Sequence, residues 1–373
     1  MNPYSTQFIE DDDIQAVINA LQGHSLTQGN LTHEFEQKIA DFIGVKYALA
    51  FNSATSALYA SYKAINLDEN HRAITSPISF VATANMMLEC DSKPIFCDVK
   101  ANGNIDEKSI KSYISNETKA VVSVDYGGNS VEADEIQKIC KENNLVFISD
   151  SSHAFGSRYK NQKVGTLADI TIFSFHAIKP ITTAEGGMLV TNDSQIYEKA
   201  KLIRSHGMIK KELWNCDVKS SGFNFRMTEL QAALGMSQLN KIDRFLNIRE
   251  EIAKFYDKAF EGNPYFFTLH QHIKYFSTNH LYPIILAPEF WCSKEDIFKS
   301  LQKEGLGVQV HYKPINEFSL YKDILGETNL YNARDFYRAE ISIPCHQKMN
   351  LEDARVSAEK ILSVFEKFKV PSH

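Results

Sequence analysis

Ile170-Thr171-Ile172-Phe173-Ser174-Phe175-His176-Ala177-Ile178-Lys179-Pro180 is the stretch that decides the fold. Residues 170–175 form a nearly continuous apolar run, the pattern of a strand covered on both faces. Pro180 fixes the turn behind Lys179. Short runs of the same kind recur at 47–51, 73–75, 95–99, 120–124, 145–149 and 187–191. Between them, 53–65 and a stretch carrying 81–88 show helical spacing. The alternation predicts an α/β domain with a mostly parallel sheet.

Working outward, Glu10-Asp11-Asp12-Asp13 opens a helix with Ile14, Val17, Ile18 and Leu21 on one side, stopped by Gly23. A second helix runs through Leu31, Phe35, Ile39 and Phe42 to Gly44. Downstream, a long helical stretch is expected from 227 to about 260. Beyond Pro264 the pattern changes: strands are expected at 281–286 and 307–312, helices at 294–303 and 351–368. This is read as a smaller C-terminal α+β domain, dividing the chain into 1–245 and 246–373.

Composition excludes several classes. The 373 residues are 43% hydrophobic and 23% charged, with a net charge of −6, and no basic block marks a nucleic-acid or membrane surface. None of the six cysteines forms a C-x-x-C pair, so metal and redox motifs are not expected. With no secretory signal at the N-terminus, a cytoplasmic location is expected. His270 and His272 are two apart but lack a third ligand, so a surface loop and no metal site is the reading. Phe255, Tyr256 and Phe260 are expected in a core or an interface.

Four pieces carry chemistry. Asn52-Ser53-Ala54-Thr55-Ser56 lies between a strand and a helix, where free N–H groups and hydroxyls cradle a phosphate. Taken alone, a plain N-cap is the better explanation, because Ser and Thr are preferred there. Asp150 follows a strand, where ligands bind in an open parallel sheet, and a carboxylate there suits a protonated pyridine nitrogen. A helix N-cap is the competing explanation. Lys179 follows a buried strand, and burial would make its amine nucleophilic; by position alone an ordinary loop lysine is the commoner case. Gly186-Gly187 enters a strand, which indicates either a close backbone approach or a turn.

In this order, Asp150-x-x-His153, Ser174-Phe175-His176-x-x-Lys179 and Thr182-Thr183-x-Glu185-Gly186-Gly187 resemble the DegT/DnrJ/EryC1/StrS sugar aminotransferases. Ser53 to Leu58, Arg204 to Gly207 and Gly222 to Met227 extend the resemblance over almost the whole chain. It implies an aspartate-aminotransferase-like, fold type I domain, pyridoxal 5'-phosphate bound through Lys179, and a homodimer. It further implies that Ala54, Thr55, Ser56 and Ser174 hold the cofactor phosphate, that Asp150 pairs with the ring nitrogen and that His153 lies near the ring hydroxyl. Phe80 is either a ring stacked on the pyridine or a core aromatic. Asn224 would reach the phosphate from the neighbouring subunit. Tyr4, Ser25, Leu26, Thr27, Gln309, Val310, His311 and Tyr312 would line the substrate pocket.

Within the family, residues 52–58, 174–183, 309–314 and 343–346 look most like members that aminate C4 of a UDP-linked 4-keto sugar with L-glutamate as donor. Dehydratase relatives carry histidine where this chain has Lys179. A regulator with a basic DNA-binding module is not expected, and neither an evident catalytic cysteine of a desulfurase nor the G-x-G-x-x-G of a dehydrogenase is found in the sequence.

Overall fold

The computed structural model describes residues 2–212, 214–270 and 274–368. In chain order the strands are β1 (Tyr47–Phe51), β2 (Arg72–Thr75), β3 (Lys93–Phe96), β4 (Thr118–Val124), β5 (Val146–Asp150), β6 (Arg158–Tyr159), β7 (Gln162–Lys163), β8 (Ile170–Ser174) and β9 (Gly187–Thr191). Further on come β10 (Met208–Glu212), β11 (Asn215–Val218), β12 (Phe266–Thr268), β13 (Tyr282–Leu286) and β14 (Glu340–Ile343).

Seven strands form one sheet in the order β1-β9-β8-β5-β4-β2-β3. β9 pairs antiparallel with both of its neighbours, and the remaining pairings are parallel. The apolar runs are continuous because both faces are covered. On β1, Leu49 and Phe51 pack into one core and Ala48 and Ala50 into another. Ile170 and Ile172 join the first and Phe173 the second. Cutting the wholly buried Phe173 to alanine removes a keystone of that second core, at a cost of about 3–5 kcal/mol.

The strand ends at one edge of this sheet position the site. Asp150 is the last residue of β5, Ser174 the last of β8, and Gly187 the first of the reversed β9. Gly187 pairs with both Phe51 and Ser174. A Cβ there would lie 2.5 Å from Ser53 C, Ser53 O and Ala54 N. Glycine therefore lets the helix Ala54–Ala64 start directly against β9.

The expected long helix is two, Glu229–Leu239 and Ile242–Ala259, because the chain turns at Asn240-Lys241 while the apolar spacing continues. Ile242–Ala259 passes unbroken through the point between 245 and 246. Its Phe245 and Leu246 pack beneath the main sheet, and its Ile252 and Tyr256 pack with the C-terminal elements. There β12, β13 and β14 form an antiparallel sheet backed by helices Lys294–Lys303 and Leu351–Glu366. Tyr256 and Phe260 are buried in this core.

The strand expected at 307–312 does not form. Gln309 makes both backbone bonds to Ser342, but the His311 N–H goes to the Glu340 side chain instead of continuing the ladder. Residues 2–5 also pack on this part of the chain: Asn2 bridges Leu306, and Tyr4 O accepts the Cys345 N–H. His270 is no surface loop residue; it is mostly buried and bonded to Asp257, which with Glu250 raises its pKa to about 9. His272 lies outside the described residues.

Candidate active site

A cavity of about 740 Å³ opens at the strand ends. Ser53, Ala54 and Thr55 form one wall. Ser53 caps its helix by accepting the Ser56 N–H at 3.1 Å. The first-turn N–H groups of Ala54 and Thr55 have no intrahelical acceptor and sit at the positive end of the helix dipole. Ser174 reaches the same cavity from β8. Ser56 is turned away, its hydroxyl donating to Asn52 Oδ1 at 2.6 Å.

Asp150 stands on the floor of the cavity and is held firmly. Thr83 Oγ1 donates to Oδ2 at 2.6 Å, and Ser152 donates to Oδ1 from both its hydroxyl (2.6 Å) and its backbone N–H (3.2 Å). These bonds fix the direction of its carboxylate. Phe80 is 61% exposed on the cavity wall, so it is no core aromatic, and its ring lies 6.5 Å from that of Tyr312.

Lys179 is only 8% exposed. Its Nζ lies 3.5 Å from His280 Nε2, and no carboxylate pairs with it among the described residues. Burial pulls its pKa down to about 7; the charge of Asp150 opposes this and that of Arg249 adds to it. An amine so placed is partly neutral near pH 7 and can act as nucleophile or base.

A second cation stands near the lysine. Arg249 is wholly buried with no acidic partner among the described residues. Its guanidinium bonds the carbonyls of Asn279, His280 and Cys345, the side chain of Gln347 and the hydroxyl of Ser5. Ser5 in turn donates to Ile178 O at 3.0 Å, and Gln347 to Pro180 O at 3.5 Å. The arginine thus clamps the lysine loop on both sides of Lys179 while its charge disfavours the ammonium.

His153 accepts the Gly127 N–H at Nδ1 (3.2 Å), so its own hydrogen is on Nε2, facing Tyr312 Oη at 3.1 Å. Its ring packs 4.5 Å from that of His280. Both imidazoles are held neutral, their pKa values driven well below the usual range by burial and then by the Lys179 charge.

The cavity brings together Tyr4, Ala54, Thr55, Phe80, Asp150, His153, Ser174 and Lys179 with Gln309, Val310, His311 and Tyr312. It does not include Ser25, Leu26, Thr27 or Asn224, which lie exposed on the surface of the single chain. Thr83, Arg249 and His280 are absent from the sequence reading. No motif signals them, because their partners lie 67, 30 to 244 and 101 residues away in the chain.

A parallel sheet whose strand ends assemble a phosphate cradle, a fixed carboxylate and a buried lysine defines a fold type I α/β enzyme. The pattern of the DegT/DnrJ/EryC1/StrS aminotransferase family matches residues 7–361, and the chain belongs to that family. It is 51% identical over 370 residues, 98% of each chain, to the UDP-4-amino-4,6-dideoxy-N-acetyl-beta-L-altrosamine transaminase of Helicobacter pylori. The solved structure of Helicobacter pylori PseC, an aminotransferase of pseudoaminic acid biosynthesis, superposes with a TM-score of 0.96, covering 98% of this chain and 99% of that one at 51% identity. Spr1654 of Streptococcus pneumoniae, solved in a PLP form, superposes at 0.94 over 99% of both chains with 27% identity.

Proposed function

We propose that this enzyme transfers the amino group of L-glutamate to C4 of a UDP-linked 4-keto-6-deoxy-N-acetylhexosamine, in pseudaminic acid biosynthesis, with pyridoxal 5'-phosphate as carrier. The observation that carries the reading is the buried Lys179 amine, ion-paired to no carboxylate among the described residues, sharing one cavity with Asp150 and an open helix N-terminus. The 51% identity to the Helicobacter pylori transaminase supports the choice of sugar.

When bound, pyridoxal 5'-phosphate supplies a carbonyl that carries the amino group and a ring that accepts electrons. The residues present suit it. Ala54 and Thr55 N–H groups with the Ser174 hydroxyl would hold its phosphate, Asp150 its ring nitrogen, and Phe80 the face of its ring. His153, neutral with its hydrogen on Nε2, would lie beside the ring hydroxyl. Lys179 Nζ would bond the carbonyl at rest. Once freed, it would take the proton leaving the donor's α-carbon and deliver one to the sugar's C4. Tyr4 and the segment 309–312 would line the sugar side.

A homodimer is part of the proposal. Leu26, Trp214, Val218 and Phe223 are 49%, 82%, 62% and 42% exposed, an apolar surface suited to a second copy. Ser25 to Thr27 and Asn224 are exposed as well, and would complete the partner's site. The reading also takes 1–245 as the cofactor-binding unit and 246–373 as the smaller one, and places the enzyme in the cytoplasm. The described chain holds no helix long and apolar enough to cross a membrane.

The test is incubation of the purified protein with glutamate and a panel of UDP-linked 4-keto-6-deoxy sugars, read by mass spectrometry. Amination of the N-acetylhexosamine is expected. Amination of other sugar nucleotides alone would remove the substrate assignment, and amination of none would remove the transaminase reading.

A further inference from the structure

His311 lines the cavity and is 5% exposed, and its two ring nitrogens meet different surroundings. Nδ1 lies 2.8 Å from Ser342 Oγ. Ser342, wholly buried on β14, donates its hydroxyl proton to Glu340 Oε1 at 2.5 Å. The other carboxylate oxygen of Glu340, also wholly buried, accepts the backbone N–H of His311 at 2.7 Å.

A hydroxyl has one proton to give. While Glu340 is ionised, that proton is committed to the carboxylate and Ser342 Oγ can only accept from His311, so Nδ1 carries the ring hydrogen. Burial, then the Lys179 charge, hold the pKa of His311 down to about 3, so the ring is neutral and has a single N–H. Nε2 is thereby left as an acceptor. No described residue bonds it, and it is not sealed inside protein.

We propose that Glu340, Ser342 and His311 form a specificity relay that presents His311 Nε2 as the hydrogen-bond acceptor for the C3 hydroxyl of the keto sugar. This rests on the substrate class proposed above. In that sugar C1 carries the nucleotide, C4 is a ketone and C6 is a methyl group. The hydrogen-bond donors on the ring are then the C3 hydroxyl and the C2 acetamido N–H. Lys179 must reach C4, and His311 lines the same cavity as Lys179. C3 is the donor-bearing carbon bonded to C4, so its hydroxyl is the one His311 meets. A sugar without it leaves a desolvated lone pair unanswered, the case in which polar sites discriminate most.

The test compares the 3-hydroxy sugar with its 3-deoxy analogue in the holoenzyme. The wild type should show a kcat/KM lower for the analogue by on the order of 10- to 100-fold. Ser342→Ala removes the acceptor for Nδ1–H and lets the ring hydrogen sit on either nitrogen. It should slow the 3-hydroxy sugar alone and bring the two sugars close to parity. A serine that merely supports the fold would slow both by one factor, and an unchanged ratio overturns the relay.

Nitrogen-15 NMR of the wild type, with His311 assigned by its loss in His311→Asn, reads the tautomer without any substrate. It should be recorded above the Glu340 pKa, which burial raises to about 7, so that the carboxylate is ionised. Hydrogen on Nδ1 is expected, and hydrogen on Nε2 overturns the relay. A wild type that aminates none of the sugars would refute the substrate class, and the C3 assignment with it, while the NMR result still decides the tautomer.

Discussion

Replacing Lys179 by methionine in the cofactor-free protein should stabilise it, and the gain should depend on pH in a defined direction. The side chain is nearly the same length and loses its charge, and the one bond given up is the 3.5 Å contact with His280. Burial holds the Lys179 pKa at about 7 against 10.5 in an ordinary setting, a difference worth roughly 5 kcal/mol. Well above pH 10.5, the amine is neutral in both the folded and the unfolded chain and costs almost nothing. As pH falls from 10.5 towards 7, the unfolded chain takes up a proton that the folded chain refuses, so wild-type stability is lost across that window. Below 7 both states are charged and the full penalty stands. Urea unfolding of both proteins across this range measures it. The variant should be more stable by several kcal/mol at neutral pH, with the advantage shrinking as pH approaches 10.5. The slope carries the test, because any packing difference adds a constant. A difference independent of pH, or one that widens as pH rises, would refute the claim that burial tunes this amine.

Asp150→Asn should lower kcat on the order of 100-fold with modest loss of cofactor affinity, and rapid-mixing kinetics with glutamate reads it. It should also move the titration of Lys179 to lower pH, since the Asp150 charge is what raises that pKa. Gly187→Ala places a Cβ 2.5 Å from backbone atoms of Ser53 and Ala54. It should cost about 1–3 kcal/mol of stability and weaken cofactor binding in equilibrium dialysis. Tyr312→Phe leaves the buried His153 Nε2–H without its partner, and urea unfolding should show a loss of about 1–3 kcal/mol.

The main sheet was legible because burial on both faces writes strands as uninterrupted apolar runs, from Tyr47–Phe51 to Gly187–Thr191. Lys179 and Asp150 were legible as polar residues placed where such runs end. The segment 307–312 misled because its apolar pattern is that of a strand, while the acceptor of the His311 N–H is a side chain 29 residues on. The helix break at Asn240-Lys241 leaves no trace in apolar spacing, since both helices bury the same side. Arg249 and His280 read as ordinary residues of a helix and a loop. Their importance arises from carbonyls and an amine that only the folded chain brings within reach. The exposed β10–β11 hairpin gave no core signal, and its apolar side chains are those expected to face a second copy.

The central claim is that Lys179 is the amine that bonds the cofactor. Borohydride reduction of the holoenzyme, followed by peptide mass spectrometry, tests it most directly. The account predicts a stable pyridoxyl group on Lys179, absent in Lys179→Met. Attachment at any other lysine, or no attachment in a protein that still turns over, would contradict it.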